Sequence, residues 1–110
     1  FNTAAVTNMG AMFSGCSALR NIPALSAAGG TSSTSYNGMF SGCPSLSTIS
    51  ITGFKYTFSV TTCGLSSAAL DALYTNLATV TGQTITVTGN HGTTADTPSI
   101  ATAKGWTVTG

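Results

Sequence analysis

Apolar and polar positions along the chain follow two different spacings. Around Ile49 and Ile51, apolar residues alternate with serine and threonine, which predicts a short strand with one buried face. The segments 84–90 and 106–109 alternate in the same way and predict two further strands. Residues 65–77 instead place apolar side chains at intervals of three and four, which predicts an amphipathic helix. The predicted fold class is therefore α/β.

Boundary signals support the predicted helices. Ser66 or Ser67 is a candidate N-cap for the helix over 65–77, and Asp71 is close enough to its start to suit the positive helix end. A second, shorter helix is predicted over 97–104, with Gly105 in the left-handed position that follows a helix. Both helices precede a predicted strand, which suggests layers that each combine a turn or helix with a strand.

One eight-residue stretch occurs twice. Met12–Leu19 reads MFSGCSAL and Met39–Leu46 reads MFSGCPSL, so equivalent residues are 27 apart. A stacked fold places the same side chain at the same depth in successive layers, so the repeat predicts a buried ladder in which Cys16 lies above Cys43. The predicted ladder also contains Met12, Phe13, Met39 and Phe40. Pro23 in the first copy predicts a short or edge strand there.

The repeat resembles a known family. Val6–Leu19 reads VTNMGAMFSGCSAL, which is similar to the V-T-N-M-x-x-M-F-x-x-C-x-x-L unit of BspA-type leucine-rich repeats, a bacterial surface-protein repeat. Residues 65–110 are similar to C-terminal segments that follow such repeats in phage tail-fibre and other virion proteins. The resemblance implies a short leucine-rich-repeat-like solenoid with a small parallel sheet and helices or turns on the other side. It also implies adhesion, host recognition or virion surface structure, on a virion or outside the cell.

The 110 residues are predicted to form a single leucine-rich-repeat-like domain. Residues 1–64 hold the two MFSGC repeats, and residues 65–110 form capping layers. Asn90 occupies the asparagine position of an L-x-L-x-x-N pattern and is predicted to satisfy loop backbone groups. The chain begins with Phe1 and shows no signal-peptide pattern, which predicts a fragment or a processed product.

Charged residues are scarce. They make up 5% of the chain, and the net charge is +1. A nucleic-acid partner or an anionic membrane surface would require clustered lysine and arginine. No apolar run approaches the roughly 20 residues that cross a bilayer. The sequence therefore predicts neither a nucleic-acid partner nor membrane insertion.

Candidate chemistry is equally sparse. The spacings between Cys16, Cys43 and Cys63 differ from those of CxxC metal sites, which favours buried thiols and leaves a disulfide open. His91 lies in a predicted turn with Asp96 as its only nearby acid, an arrangement too poor for a catalytic triad. We therefore expect no catalytic residue, no metal and no cofactor, and the predicted protein is not an enzyme. An enzyme would need a pocket with perturbed titratable groups.

Hydroxyl residues alternate with the inward apolar residues of the predicted strands, so they form an outward face. This candidate binding face comprises Thr48, Ser50, Thr52, Thr84, Thr86, Thr88, Thr107 and Thr109. Threonine is also a favourable strand residue for purely structural reasons. A regular ice-like array would need a flat sheet, which the helix over 65–77 disfavours. The functional interpretation is a face for a glycan or a protein partner.

The sequence thus predicts a non-enzymatic structural or adhesive module that presents a rigid face. Its context would be a virion tail fibre or surface, or a bacterial surface protein. The alternative is a self-assembling decoration or filament subunit. Its partners would be copies of itself or other structural proteins, with contact made through the end that holds Phe1.

Overall fold

Five short strands and two helices make up the regular structure of the protein, and the computed structural model describes residues 3 and 5–110. The strands are β1 (Asn21–Ile22), β2 (Thr48–Ile49), β3 (Phe58–Ser59), β4 (Gln83–Thr86) and β5 (Trp106–Thr109). The helices are α1 (Ser67–Thr75) and α2 (Ser99–Thr102), with single 3-10 turns at Ser33–Tyr36 and His91–Thr94. The protein is a small mixed α/β structure with short parallel sheets and few helices.

The strands form two separate parallel sheets. In the first, β1 pairs with β2 and aligns Ile22 with Ile49. In the second, β4 lies between β3 and β5, with Ile85 aligned to Phe58 on one side and to Val108 on the other. The β1–β2 and β3–β4 registers both repeat the 27-residue offset of the MFSGC stretch.

Backbone hydrogen bonds also join the two MFSGC copies. The amides of alternate residues from Met9 to Gly15 donate to carbonyl oxygens 26 residues later, in the segment Ser35–Ser41. Gly15 and Gly42 have almost the same left-handed backbone, with φ of 77° and 74°. Only a residue without a Cβ adopts this conformation at little cost. The MFSGC stretch therefore builds the same turn twice, and the two turns lie against each other.

Four chain segments occupy equivalent positions and end at Cys16, Cys43, Cys63 and Asn90. We call the segments 9–16, 36–43, 56–63 and 83–90 the cysteine row. The residue before each end has a positive φ in all four: Gly15, Gly42, Thr62 and Gly89. The row is thus defined by backbone conformation as well as by sequence.

The two sheets lie on opposite sides of the bend that ends each segment of the cysteine row. In the first sheet, β1 and β2 follow Cys16 and Cys43. In the second sheet, β3 and β4 precede Cys63 and Asn90. The prediction of one sheet with a continuous outer face is wrong for this reason. The alternating patterns of β2 and β4 look alike in sequence, but they occur on different sides of the bend.

Aromatic side chains fill the centre of the core. The rings of Phe54 and Phe58 stack with centroids 3.9 Å apart, and the ring of Phe40 lies 6.2 Å from Phe54. Trp106 meets Phe58 edge-on at 5.7 Å. The indole Nε1 of Trp106 donates to the carbonyl of Ala78 at 2.9 Å, which fastens β5 to the segment after α1. Helix α1 covers this core with three fully buried side chains, Leu70, Leu73 and Tyr74.

The predicted ladder of buried side chains is confirmed in the second copy and is wrong in part of the first. Met39, Phe40 and Cys43 are each only 1% exposed. Met12 is 42% exposed, and Cys16 is exposed as well. Phe13 is half-buried and stacks on Phe40 with centroids 6.1 Å apart. The copies differ because the second copy has chain on both sides, whereas no described segment covers the outer side of the first.

Helix α1 begins as predicted, because the Ser66 hydroxyl accepts from the Ala69 amide at 3.2 Å. The predicted role of Asp71 at the helix start is wrong. Asp71 lies beyond the first turn, and its carboxylate accepts from the amide of Thr97 at 2.6 Å. This contact ties α1 to the chain that leads into α2.

The C-terminal end of α1 is capped from a distant part of the chain. The Lys104 ammonium donates to the carbonyls of Thr75 and Leu77, the second at 3.0 Å. Positive charge at this end favours the helix. Helix α2 is shorter than predicted, and Gly105 has the predicted left-handed conformation, with φ of 87°.

Candidate functional site

The predicted hydroxyl face is divided between two surfaces. We call the five residues on or beside β4 and β5 the threonine surface: Thr84, Thr86, Thr88, Thr107 and Thr109. We call the three residues on or after β2 the β2 surface: Thr48, Ser50 and Thr52. The members of each surface lie near one another, but the two sets belong to different sheets.

The threonine surface is a regular array. The β4–β5 register places Thr84 beside Thr107 and Thr86 beside Thr109. Adjacent strands are about 4.8 Å apart, so the hydroxyls form two short rows at this spacing. Ser59 on β3 extends the row of Thr86, and sequence reasoning missed this residue. The signal was available, because Ser59 and Thr86 are also 27 residues apart.

The hydroxyls of the threonine surface rest on a fixed support. The side chains of Ile85 and Val87 alternate with them and are buried in the core. Thr88, Thr107 and Thr109 are exposed, whereas Thr84 and Thr86 are half-buried. The array offers hydrogen-bond donors and acceptors at fixed spacing and no titratable group, so it can bind a neutral polar ligand.

The β2 surface is exposed but is partly engaged within the protein. The Thr48 hydroxyl donates to the side-chain oxygen of Asn21 on the neighbouring strand. Thr52 forms an isolated parallel bridge with Ser26. Fewer hydroxyls are available here, and they are confined to one strand and its extension.

An apolar surface lies on the outer side of the first MFSGC copy. Met12, Phe13, Pro23, Ala24 and Leu25 line an open depression of about 560 Å³. We call these five residues the first-copy surface. Its exposure is unusual, since the repeat-equivalent methionine of the second copy is buried.

The cysteines are all free thiols. Burial raises the pKa of Cys43, and burial together with the nearby Cys43 raises the pKa of Cys63 to about 11. Thiolate is the reactive form, so these two thiols are inert at neutral pH. The prediction of buried thiols is confirmed for Cys43 and Cys63 and wrong for Cys16.

Asn90 bridges three backbone groups inside the protein. Its Nδ2 donates to the carbonyls of Val60 and Val87 at 2.9 and 2.8 Å, and its Oδ1 accepts from the Leu65 amide at 3.1 Å. The prediction that Asn90 satisfies loop backbone is therefore confirmed. The Cys43 thiol makes the equivalent contact to the Phe13 carbonyl, at 2.9 Å and the same 30-residue separation. Cysteine and asparagine thus serve one structural position, which the sequence analysis did not recognise.

The groups considered for acid–base chemistry have other contacts. His91 is exposed in its 3-10 turn. The Asp96 carboxylate accepts from the Tyr74 hydroxyl at 2.6 Å. Burial, with a further contribution from Asp96, raises the pKa of Tyr74. Within residues 3 and 5–110, no three histidine, cysteine or acidic side chains lie together as a metal site would require.

No family model, curated protein or solved structure matches the chain. The resemblance to BspA-type repeats therefore stays a prediction. In the described part of the chain, every helix is too short or too polar to cross a membrane.

Proposed function

We propose that this protein is a non-enzymatic structural and adhesive module, built as a short solenoid of the leucine-rich-repeat type. The 27-residue register in both sheets and the shared backbone conformation of the cysteine row support the solenoid. The resemblance of Val6–Leu19 to a bacterial surface repeat supports a place on a virion tail fibre or surface, or on a cell surface. The module binds through rigid, uncharged surfaces rather than through a catalytic pocket.

The observation that carries the adhesive role is the threonine surface. It holds five hydroxyl residues in fixed rows, and none of them carries a charge. Hydroxyl rows on a rigid sheet exchange hydrogen bonds with a glycan or with a polar protein surface. Because the side chains are short and held in strands, little conformational entropy is lost on binding.

A glycan array tests this role with the purified chain as the probe. We expect retention on at least one neutral saccharide. The double variant Thr84→Lys and Thr107→Lys should abolish that signal, because two lysines break both rows. Ser50→Lys on the β2 surface is the matched control, since it adds a charge to a strand extension away from the threonine surface.

Two results would count against the proposed role. One is retention that survives the double lysine variant, and the other is a complete lack of binding to saccharides and to bacterial envelopes. Circular dichroism of each variant confirms that the sheet is intact.

The second candidate function is a self-assembling subunit, and the first-copy surface favours it. An apolar depression of about 560 Å³ on a chain with so few charges favours association. The end predicted for this contact includes Phe1, which lies outside the described residues, but the first-copy surface is adjacent to it in sequence. Light scattering across a concentration series tests assembly, with Met12→Lys expected to restore a monomer and Ser50→Lys expected to change nothing. A chain that is monomeric at all concentrations would exclude this candidate.

A further inference from the structure

The cysteine row is interrupted once. Backbone hydrogen bonds join segment 9–16 to segment 36–43, and others join segment 56–63 to segment 83–90. Between the second and third segments, no described residue supplies such a bond to the amides of Gly38, Phe40 or Gly42. Two adjoining cavities of about 470 and 270 Å³ lie along this interruption. We call this space the inter-segment cleft.

One wall of the cleft carries backbone donors. In the first copy, the amides of Ala11, Phe13 and Gly15 all donate across to the next segment. The second copy has the same backbone, since φ is 57° at Ala11 and 65° at the equivalent Gly38. Its amides must therefore point in the corresponding direction, toward β3. These three amides, at Gly38, Phe40 and Gly42, face the cleft.

The opposite wall carries backbone acceptors. The amides of Val60 and Thr62 donate to β4. Backbone groups alternate in direction along a strand, so the carbonyls of Ser59 and Thr61 point away from β4. Both residues line the cavity. A row of donors thus faces a row of acceptors with no chain between them.

An aromatic wedge separates the walls. The ring of Phe54 stacks on Phe58 at 3.9 Å and lies 6.2 Å from Phe40, so it stands between the two segments. The effect is visible in the thiol contacts. The Cys43 sulfur is 2.9 Å from the Phe13 carbonyl, whereas the equivalent distance from Cys63 to the Phe40 carbonyl is 4.0 Å.

The cleft closes beyond the cysteines. The Gly64 amide donates to the Leu46 carbonyl at 2.8 Å, so the two segments are joined again at that end. The opening is therefore a wedge with one fixed end. Its fixed end makes the spacing of the walls a property of the fold.

The lining of the cleft limits what can enter. Gly38, Ser41, Gly42, Ser59, Thr61 and Thr62 contribute most of the upper cavity. None of the residues that line either cavity is charged. At about 3.3 Å per residue, the edge 57–62 matches a strand of roughly six residues.

We propose that the inter-segment cleft binds an extended, uncharged peptide of a partner protein as an inserted strand. The carbonyls of the peptide accept from the amides of Gly38, Phe40 and Gly42. Its own amides donate to the carbonyls of Ser59 and Thr61, which completes the interrupted row. A strand is favoured over a glycan because the walls present one row of donors and one row of acceptors at the backbone repeat. The site shares only Thr86 with the threonine surface, so it does not depend on the adhesive role.

The test is an NMR titration of ¹⁵N-labelled protein with a capped hexapeptide of sequence QTITVT. This is the sequence of residues 83–88, which already pair with the other edge of β3. We expect shift changes at the amides of Gly38, Phe40 and Gly42. A peptide with proline at its third and fifth positions should not bind, because it lacks the amides that donate to one wall.

Matched substitutions locate the site. Ser41→Phe fills the cleft and should weaken binding at least about tenfold, or roughly 1.4 kcal/mol. Ser14→Phe, at the equivalent position of the first copy, should leave affinity within about twofold, a change of roughly 0.4 kcal/mol. If Ser41→Phe fails to fold, Thr61→Phe replaces it, with Thr88→Phe as its control.

Three outcomes would overturn the proposal. They are the absence of shift changes at these amides at millimolar peptide, equal affinity of the proline peptide, and binding that Ser41→Phe does not weaken. Xylohexaose is titrated in parallel. If it shifts the cleft amides and the peptide does not, the cleft is a saccharide site and the peptide proposal is wrong.

Discussion

The junction between the first two segments of the cysteine row and the junction between the second and third have different structures. At the first junction, the segments are joined by four backbone hydrogen bonds, and Phe13 stacks nearly parallel on Phe40. At the second junction, the backbone bonds are missing and a cleft opens. The same MFSGC turn takes part in both. The turn therefore does not by itself determine whether its neighbour pairs with it.

Connection length and one side chain account for the difference. Cys16 and Cys43 are 27 residues apart, whereas Cys43 and Cys63 are only 20 apart. The shorter connection brings Phe54 into the core between the segments, where its ring stacks on Phe58. Repeats of equal length stack with paired backbones, and a shortened repeat must accommodate its apolar residues between them.

Removing the wedge should have the largest effect on the second junction. Phe54 is fully buried, so Phe54→Ala should lower the free energy of unfolding by about 4 kcal/mol. Phe13→Ala at the first junction should cost less, about 1–2 kcal/mol, because Phe13 is half-buried. Chemical denaturation of both variants measures the difference. Equal losses would show that the two junctions depend on their aromatic residues to the same extent.

The ends of the cysteine row provide the next comparison. Asn90→Ala leaves the amide of Leu65 and the carbonyl of Val60 without partners, so we expect a loss of about 3 kcal/mol. Cys63→Ala removes only long thiol contacts and a small buried volume, so about 1–2 kcal/mol is expected. Thermal and urea unfolding compare the two variants. A Cys63→Ala loss as large as that of Asn90→Ala would contradict the greater weight given to the asparagine.

High pH should distinguish the buried thiol of the second junction. Burial raises the pKa of Cys63 from its ordinary 9.0 to about 11. The unfolded chain loses this proton above pH 9, while the folded chain keeps it, so stability falls as pH rises from about 9 to 11. The slope approaches at most roughly 1.4 kcal/mol per pH unit. Cys63→Ala should have a shallower slope over this interval, and denaturation at pH 8, 9, 10 and 11 measures it. An unchanged slope would show that burial of this thiol does not contribute.

Hydrogen exchange tests the junctions without any substitution. The amide of Phe40 should exchange faster than that of Phe13, although the Phe40 side chain is the more buried. The reason is that the Phe13 amide donates to Met39 at 3.0 Å, whereas the Phe40 amide faces the cleft. Residue-resolved exchange by NMR gives the two rates. Slower exchange at Phe40 would mean that the second junction is paired in solution.

Much of the fold could be predicted from the periodic parts of the sequence. The start of α1 at its Ser66 cap and the inward side chains of β4 follow from local spacing, and so does the bonding of Asn90. The burial of Phe40 and Cys43 follows from the repeat. These features depend on residues close in sequence or on one fixed offset, which a sequence displays directly.

The rest depends on how segments meet, which spacing alone does not reveal. The strands β2 and β4 alternate alike, so their separation into two sheets was not predictable from either pattern. The exposure of Met12 depends on what lies outside the first copy, and sequence equivalence with Met39 predicts the opposite. The cleft was missed because it results from a missing interaction. Its one sequence signal was the shortened spacing between Cys43 and Cys63.

The position of Trp106 has a practical consequence for spectroscopy. It is the only tryptophan of the chain, and it lies buried on β5 against Phe58 with its indole nitrogen held by Ala78. Intrinsic fluorescence excited at the red edge therefore reports the C-terminal sheet alone. Comparing its unfolding curve with the far-ultraviolet circular dichroism of the whole chain reveals whether the two halves melt together or in sequence.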